Sequence, residues 1–170
     1  DYRAESQGEE LARADTALSQ AVRDLYETTD RELGTIVDAF ETEHPDVIVI
    51  EGQGALSHPA YLTSTFILRG SRPDAVVLQH APGRTRLGDF GTIVMPTPAT
   101  EINLIETFAA TKVIGLAINH ENMTDADVSA AITRYEDELG IPATDALTRP
   151  EGRLVDMVLA AFPQLEEKLN

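Results

Sequence analysis

The sequence has 170 residues and no cysteine, and its 29 Asp and Glu against 13 Lys and Arg give a net charge of −16. The lack of cysteine excludes disulfides, thiolate zinc sites and a cysteine nucleophile. The negative charge argues against a nucleic-acid or anionic-membrane surface, because phosphates are repelled. No apolar run approaches the roughly 18 residues that span a bilayer, and the first residues do not resemble a signal peptide. We therefore expect one soluble, cytoplasmic domain.

The acidic residues are spread along the whole chain, and only two of the cations are lysines, Lys112 and Lys168. An evenly acidic, lysine-poor surface suits a cytoplasm rich in salt, because screening relieves self-repulsion. We interpret this composition as that of a halophile. The alternative is an ordinary acidic protein whose cations are biased toward arginine.

Two helices are predicted at the start of the chain. Apolar residues at three- and four-residue steps predict an amphipathic helix over residues 8–27. A capping box at residues 29–32 begins a second helix. It ends at His44-Pro45, because the residue before a proline avoids the helical region.

Strands and helices alternate along the rest of the chain. Continuous apolar runs at 47–50, 75–78 and 113–118 predict buried strands, and residues 141–145 predict a short edge strand. A helix or an irregular segment is predicted around 60–69, and helices are predicted from Thr97-Pro98 onward, over 124–139 with Gly140 after it, and over 149–162. The inward side of the last helix is predicted to hold Leu154, Val155, Val158, Leu159 and Phe162. This order favours a three-layer α/β fold, with a mainly parallel sheet and helices on both faces.

Three loops follow the predicted strands, at residues 51–59, 79–89 and 119–122. Ligands of parallel sheets bind outside the carboxyl ends of the strands. We therefore expect Glu51, His58 and Arg84 to converge on one concave surface, with Asn119 at its rim.

The first of these loops holds two candidate groups. Glu51 closes an apolar run, like a Walker B carboxylate that holds magnesium, and Gly52 and Gly54 permit a ligand to approach the backbone. A plain strand end with a tight turn is the alternative. His58 is a candidate general base, since imidazole titrates near working pH, and we expect it to be at least partly exposed. The alternative is a loop histidine bonded to backbone.

The other two loops offer groups for anions and for a nucleobase. Arg84 and Arg86 can bind phosphate or carboxylate in a bidentate manner, or form surface ion pairs with the many acids. Asn119 can read an adenine edge, or it can hydrogen-bond its own turn. The sequence has no Walker A motif, no Gly-x-Gly-x-x-Gly and no Gly-x-Ser-x-Gly, and its four histidines lack metal-ligand spacing.

Three segments resemble one family: 51–61 (EGQGALSHPAY), 70–86 (GSRPDAVVLQHAPGRTR) and 113–119 (VIGLAIN). This is the D-glutamate (D-amino acid) N-acetyltransferase-like family, formerly labelled only as a domain of unknown function. Its members pair a Rossmann-like N-terminal half with a P-loop NTPase-like C-terminal half that is similar to dethiobiotin synthetase. The resemblance covers about residues 30–165. It implies that this chain corresponds to the C-terminal half, with the Rossmann-like half and the Walker A segment upstream.

The resemblance implies that the full-length parent is an acyltransferase that uses acetyl-CoA to acetylate D-glutamate or another D-amino acid. We take His58 as the first choice of base and Glu51 as the second. The implied substrate and cofactor contacts are Gly52, Gly54, Ser57, His80, Arg84, Arg86 and Asn119. Two alternatives stay open. One is a Mg-ATP-dependent enzyme similar to dethiobiotin synthetase, with Glu51 at the metal, and the other is a non-catalytic assembly domain.

The predicted organisation is an N-terminal helical segment, 1–28, followed by a P-loop NTPase-like α/β domain, 29–170. We expect a small-molecule substrate and neither a nucleic-acid nor a membrane partner. The predicted sheet is small, so a second copy of the chain or the missing N-terminal half is expected to complete it.

The distributed charge of −16 predicts a fold that is stabilised by salt. Raising KCl from about 0.01 to 1 M shortens the screening length from roughly 30 to 3 Å. We therefore expect the melting temperature, measured by circular dichroism, to rise markedly over this range. A melting temperature that is the same in dilute buffer and in molar salt contradicts the halophile interpretation.

Overall fold

The computed structural model describes residues 20, 31, 38, 41–52, 54–60, 63–88, 90–150 and 152–168. Almost all of the predicted 8–27 helix, the 1–28 segment and most of the second predicted helix lie outside the described residues. Residues 41–43 are helical, and the chain leaves the helix at His44, whose φ is 46°. The predicted end of the second helix is thereby confirmed.

Helices and strands alternate through the described part of the chain. The helices are α1 (Thr63–Ser71), α2 (Pro98–Ala109), α3 (Asp125–Leu139) and α4 (Gly152–Ala161), followed by a 3-10 helix at Pro163–Lys168. The strands are β1 (Ala75–His80), β2 (Arg86–Leu87), β3 (Phe90–Val94), β4 (Lys112–Ile118) and β5 (Ala143–Thr144). In this part of the chain, each helix is too short or too polar to cross a membrane.

The main sheet has the strand order β1-β4-β5, and both of its strand pairs are parallel. At the carboxyl end of the sheet, His80 of β1 is paired with Ile118 of β4. On the other side of β4, Leu116 is paired with Ala143 and Ala117 with Thr144. The predicted α/β fold with a mostly parallel sheet is confirmed.

Helices cover both faces of the central strand, β4. Leu116 and Ile118 face α3, where they form the buried core with Ala131 and Tyr135. Gly115 points the other way, because side chains alternate along a strand. A β-carbon added at Gly115 would lie 2.4 Å from the sulfur of Met157 in α4. The glycine therefore lets α4 pack close to the sheet.

The helix ends follow the local signals in the sequence. The Thr97 side chain accepts from the Thr100 N–H at 3.2 Å, and Pro98 occupies the first turn of α2. Thr124 and Asp127 form a reciprocal capping box at the start of α3, and Gly140 ends that helix with φ at 67°. Side-chain oxygens at these positions satisfy N–H groups that have no partner inside the helix.

The apolar run at 47–50 is not a strand, which corrects the first strand prediction. Val49 is 89% exposed and Val47 is 51% exposed. A strand needs a neighbour for its backbone N–H and C=O groups, and the described strands are paired with one another elsewhere. Apolar composition alone therefore did not make a strand here.

Three further predictions, one about a loop and two about burial, were wrong in whole or in part. The 79–89 segment, predicted as a loop, contains β2, which pairs with β3 in an antiparallel manner. The second strand, β1, is an edge strand and is only partly buried, with Val77 37% exposed. In α4, the last α-helix, the deeply buried residue is Met157, and of the five residues predicted to face inward Val155 is 52% exposed while the other four are partly buried. Both burial errors arise because the neighbouring elements decide which side is covered.

Replacing Gly115 with alanine should destabilise the fold, because the new methyl group meets the buried Met157 side chain. Overpacking of this kind typically costs about 1–3 kcal/mol in the free energy of unfolding. Urea denaturation measures the loss. Gly91→Ala is the matched control, since apart from its chain neighbours no atom of the described residues lies within 4 Å of its added β-carbon. Equal stabilities for the two variants contradict the close packing of α4 on the sheet.

Candidate functional site

The candidate site lies at the carboxyl edge of the main sheet. The loops after β1 and β4 begin there, as predicted. β5 ends at the same edge and is followed at once by Asp145, which the sequence analysis did not select. The 51–59 segment, in contrast, follows no strand in the structure.

The loops after β1 and β4 are tied by their backbones. The Asn119 N–H donates to the His80 carbonyl at 2.8 Å, which extends the β1–β4 pairing by one bond. The Asn119 side-chain oxygen accepts from the Glu121 N–H at 3.0 Å. Of the two interpretations of Asn119, this is the turn hydrogen bond. A role in reading adenine stays a prediction.

Arg84 crosses from the first of these loops to the second and pairs with Glu121. Its Nε lies 2.9 Å from Glu121 Oε2, and its Nη2 contacts the same oxygen. This bond holds the pKa of Glu121 below its ordinary value. Gly83 lets the loops meet, because a β-carbon there would lie 2.3 Å from the Glu121 carbonyl oxygen. Of the two alternatives for Arg84, the structure shows the ion pair with an acidic residue. Binding of a phosphate or carboxylate ligand by Arg84 stays a prediction.

Arg86 and His80 are arranged differently from Arg84. The exposed Arg86 donates from Nη1 to the Thr92 carbonyl at 3.1 Å, a bond that braces the β2–β3 pair. The His80 ring packs edge-on against Tyr135, with ring centres 5.6 Å apart. Burial, and to a smaller degree the charge of Arg134, lowers the pKa of His80. His80 is therefore neutral at pH 7.

The segment with the acid-glycine motif is held by α1 and α2. The Gly54 N–H donates to Ser64 Oγ at 3.0 Å, and that hydroxyl donates to the Gly54 carbonyl at 2.7 Å. The Ser57 N–H donates to Glu101 Oε2 at 3.4 Å. Glu51, Gly52, Gly54 and Ser57 are exposed.

His58 is buried, with 7% of its surface exposed, so the expectation that it is exposed was wrong. Its Nδ1 accepts a hydrogen bond from the Ala60 N–H at 3.2 Å. A neutral imidazole has one acceptor nitrogen, and here Nδ1 is that nitrogen. This geometry counts against His58 as a base, and its catalytic role stays a prediction.

Glu101, in the first turn of α2, is a buried carboxylate that the sequence analysis missed. It is 3% exposed, and its Oε1 is buried without a hydrogen-bond partner among the described residues. The signal that could have found it is an acid on the inward side of a helix that begins beside the sheet. Within the described part, this carboxylate anchors the acid-glycine segment through Ser57.

The second missed group is a histidine–aspartate pair. His120 Nδ1 lies 2.6 Å from Asp145 Oδ2, and the two side chains are 37% and 0% exposed. Asp145 also accepts from the Leu147 N–H at 2.9 Å and from the Thr148 hydroxyl at 2.7 Å. The sequence signal that could have found the pair is that each residue lies within two positions of the end of a parallel strand.

The charge of Asp145 is kept in the folded protein. Burial acts to raise the pKa of Asp145, but the hydrogen bonds from Thr148 and Leu147 and the contact with His120 outweigh it, and the pKa is lowered. A buried carboxylate is tolerated when it is paired and hydrogen-bonded in this way. The Asp145 carboxylate therefore holds the loop after β5 against the loop after β4.

The contacts divide the predicted residues into two groups. His80, Arg84 and Asn119 are brought together with Glu121 at the carboxyl edge, and His120 and Asp145 adjoin them in the chain and across the sheet. The contacts described for Gly54 and Ser57 go to α1 and α2 instead. That both groups form one concave surface stays a prediction.

Within the described residues, no three His, Asp or Glu side chains cluster in a way that would hold a metal ion. A shallow polar depression is lined by Asp74, Thr111 and Lys112 and lies at the amino ends of β1 and β4. It is thus at the opposite edge from the loops that carry the candidate groups.

A parallel sheet with helices on both faces and polar loops at its carboxyl edge defines a layered α/β domain. The family model described as "Domain of unknown function (DUF1611_C) P-loop domain" matches residues 31–155. The chain belongs to this DUF1611 family.

Comparisons with individual proteins agree with that assignment. A "D-glutamate N-acetyltransferase" of Tritonibacter scottomollicae is 30% identical over 126 residues, which are 71% of this chain and 37% of the relative. A protein of the same name from a Pseudoalteromonas species is 32% identical over 156 residues, 86% of this chain and 45% of the relative. The crystal structure of a DUF1611 family protein from Anabaena variabilis superposes with a TM-score of 0.69 at 30% identity, covering 75% of this chain and 39% of that one. The chain thus spans less than half the length of the relatives it matches.

Replacing Asp145 with asparagine should make stability less sensitive to acid. The pKa of Asp145 is lowered from 3.8, so its carboxylate stabilises the fold above the unfolded-state pKa. That contribution is lost as the pH falls through the lower folded-state value. We expect the free energy of unfolding in urea to fall less between about pH 6 and about pH 3 for Asp145→Asn than for the wild type.

Asp137→Asn is the control for this measurement, because Asp137 is an exposed acid on α3. It should keep the pH dependence of the wild type. An Asp145→Asn variant that also keeps it would contradict the stabilising role of the buried carboxylate.

Proposed function

We propose that the protein carrying this chain is an N-acetyltransferase that uses acetyl-CoA to acetylate the amine of D-glutamate or another D-amino acid. The observation that carries the proposal is the similarity to two proteins named D-glutamate N-acetyltransferase, at 30% and 32% identity over 71% and 86% of this chain. An N-acetyltransferase-like assignment rests on both relatives. We propose in addition that the acetyl acceptor is a D-amino acid and that the acetyl donor is acetyl-CoA.

The carboxyl edge of the sheet offers the chemistry that this reaction needs. An amine attacks a thioester only with a free lone pair, so a group that accepts a proton must stand within hydrogen-bond reach. The edge carries the imidazole of His120 and the carboxylate of Glu121 in neighbouring positions of one loop. Glu121 is bound to Arg84, which leaves it less basic.

Acetyl-CoA, as the second substrate, supplies an activated acetyl group together with several phosphates. Arg86 is the better of the two predicted arginines for holding a phosphate, because its guanidinium is exposed and bonds to the described part of the chain through Nη1 alone. Arg84 directs two of its nitrogens to Glu121. A planar guanidinium with unused N–H groups matches phosphate well.

A second candidate role is assembly with another part of the protein or with a second copy. β1 lies at the edge of the main sheet, with Val77 37% exposed. Val49 is 89% exposed in the segment that was predicted as a strand. Unpaired strand edges and exposed apolar side chains are typical of surfaces that another strand covers.

The decisive experiment offers acetyl-CoA with D-glutamate, other D-amino acids or L-glutamate to the full-length protein. We expect release of the CoA thiol together with an N-acetylated D-amino acid, detected by a thiol reagent and by mass spectrometry. Failure to acetylate any D-amino acid contradicts the proposal. Calorimetry with Mg-ATP in parallel tests the magnesium–nucleotide alternative, which gains support if the nucleotide binds and no acetyl group is transferred.

Arg86→Ala should raise the KM for acetyl-CoA and leave kcat little changed, because it removes a contact that is the same in the ground state and the transition state. Arg72→Lys is a control that keeps the charge at an exposed position after α1. An unchanged KM in Arg86→Ala contradicts phosphate binding by this arginine.

A further inference from the structure

One pair of side chains at the carboxyl edge has the geometry of a base and its orienting acid. His120 follows β4, and Asp145 follows β5, the strand paired with β4. We propose that His120 is the general base of the acetyl transfer and that Asp145 is the residue that positions it. The inference rests on the proposed function and deepens it, because it assigns the proton-accepting atom.

The contact favours one of the two ring nitrogens as the carrier of the hydrogen. An ionised carboxylate only accepts hydrogen bonds, and the lowered pKa of Asp145 keeps it ionised at neutral pH. Its Oδ2 lies 2.6 Å from His120 Nδ1, a distance at which two lone pairs would repel each other, although the angles of the contact are not those of a hydrogen bond. Nδ1 therefore bears the hydrogen, and Nε2 of the neutral ring is left with a lone pair.

That lone pair is accessible. His120 Nδ1 is buried, yet 37% of the side chain is exposed. Nε2 has no hydrogen-bond partner among the described residues. A base needs an open acceptor of this kind, within hydrogen-bond reach of the substrate. His58, which is 7% exposed and uses Nδ1 as its acceptor, does not offer one in this geometry.

The position of Asp145 is strongly determined, so it can hold the ring in one orientation. Its carboxylate takes the Leu147 N–H on Oδ1 and the Thr148 hydroxyl on Oδ2, and its own carbonyl accepts from the Arg149 N–H at 2.9 Å. The side chain is fully buried. A catalytic imidazole is commonly oriented by a buried carboxylate on its other nitrogen.

The other charged side chains near this edge are paired among themselves. Glu121 is bound by Arg84, and Asp125, at the start of α3, is bound by Arg149 at 2.5 Å. Among the described residues, Asp145 is the carboxylate that contacts the His120 ring. The Asp145 carboxylate is therefore the charged group that acts most directly on the imidazole.

The reaction begins from the free amine of the D-amino acid. The nitrogen lone pair attacks the thioester carbonyl carbon, and the N–H proton passes to His120 Nε2 as the C–N bond forms. The C–S bond then breaks, and the sulfur leaves with the bonding pair. The imidazolium, stabilised by Asp145, returns its proton to that sulfur, so the products are the N-acetyl amino acid, the CoA thiol and a neutral His120.

The test uses the full-length protein and compares His120→Gln with the wild type. We expect kcat to fall roughly 10²–10⁴-fold with KM little changed, because the base acts in the transition state. The acidic limb of the pH–rate profile should disappear in the variant. His44→Gln, at an exposed position far from this edge in the chain, should keep the activity and the pH profile of the wild type.

Asp145→Asn supplies a readout that a purely structural role would not move. An asparagine amide can donate to Nδ1, which favours the tautomer with the hydrogen on Nε2 and removes the base. Nitrogen-15 NMR of the His120 ring should show an Nδ1–H tautomer in the wild type and an Nε2–H tautomer in Asp145→Asn. Thermal melting of each variant shows whether a loss of activity is a loss of fold.

The outcomes separate the two proposals. If the wild type acetylates no D-amino acid, the proposed function fails, and the assignment of His120 as its base fails with it. If the wild type is active and folded His120→Gln keeps its kcat and pH profile, only the assignment of His120 is overturned. An Nε2–H tautomer in the wild type also overturns that assignment, whatever the activity.

Discussion

Parallel pairing on both sides of β4 is the constraint on which the candidate site depends. β4 is hydrogen-bonded to β1 on one side and to β5 on the other, and its Leu116 is fully buried. The register places the end of β1 beside Ile118 and Thr144 beside Ala117. Three chain segments that are remote in sequence therefore leave the sheet at the same edge. Side chains in those segments meet because the register cannot slip without turning the core residues outward.

Two charged contacts then join the loops at this edge. Arg84 binds Glu121 across the first pair of loops, and His120 contacts Asp145 across the second pair. The first contact is solvent-exposed, so it contributes little to stability. The second involves a fully buried carboxylate, and losing one of its partners would leave a charge without compensation. The more buried pair is thus the one that constrains geometry, which is also what an oriented base requires.

The sequence by itself determined the elements whose signals are local. The threonine caps at Thr97 and Thr124 and the glycine stop at Gly140 correspond to the observed helix ends. The apolar runs at 75–78 and 113–118 are strands. Quoted segments were also enough to identify the family. Each of these signals needs only a few adjacent residues, because capping and turn hydrogen bonds form within one turn of the chain.

Only the tertiary structure decided which of these elements are covered and which side chains meet. The run at 47–50 has the composition of a strand, but Val49 is 89% exposed and no strand is assigned there. His58, selected as an exposed base, is buried, whereas His120 is open at Nε2 and backed by Asp145. Burial and pairing depend on neighbours that are distant in sequence, and a strand exists only when another segment takes up its backbone hydrogen bonds. The sequence could place polar residues at the ligand edge, but the pairing of His120 with Asp145 required the register of β4 and β5.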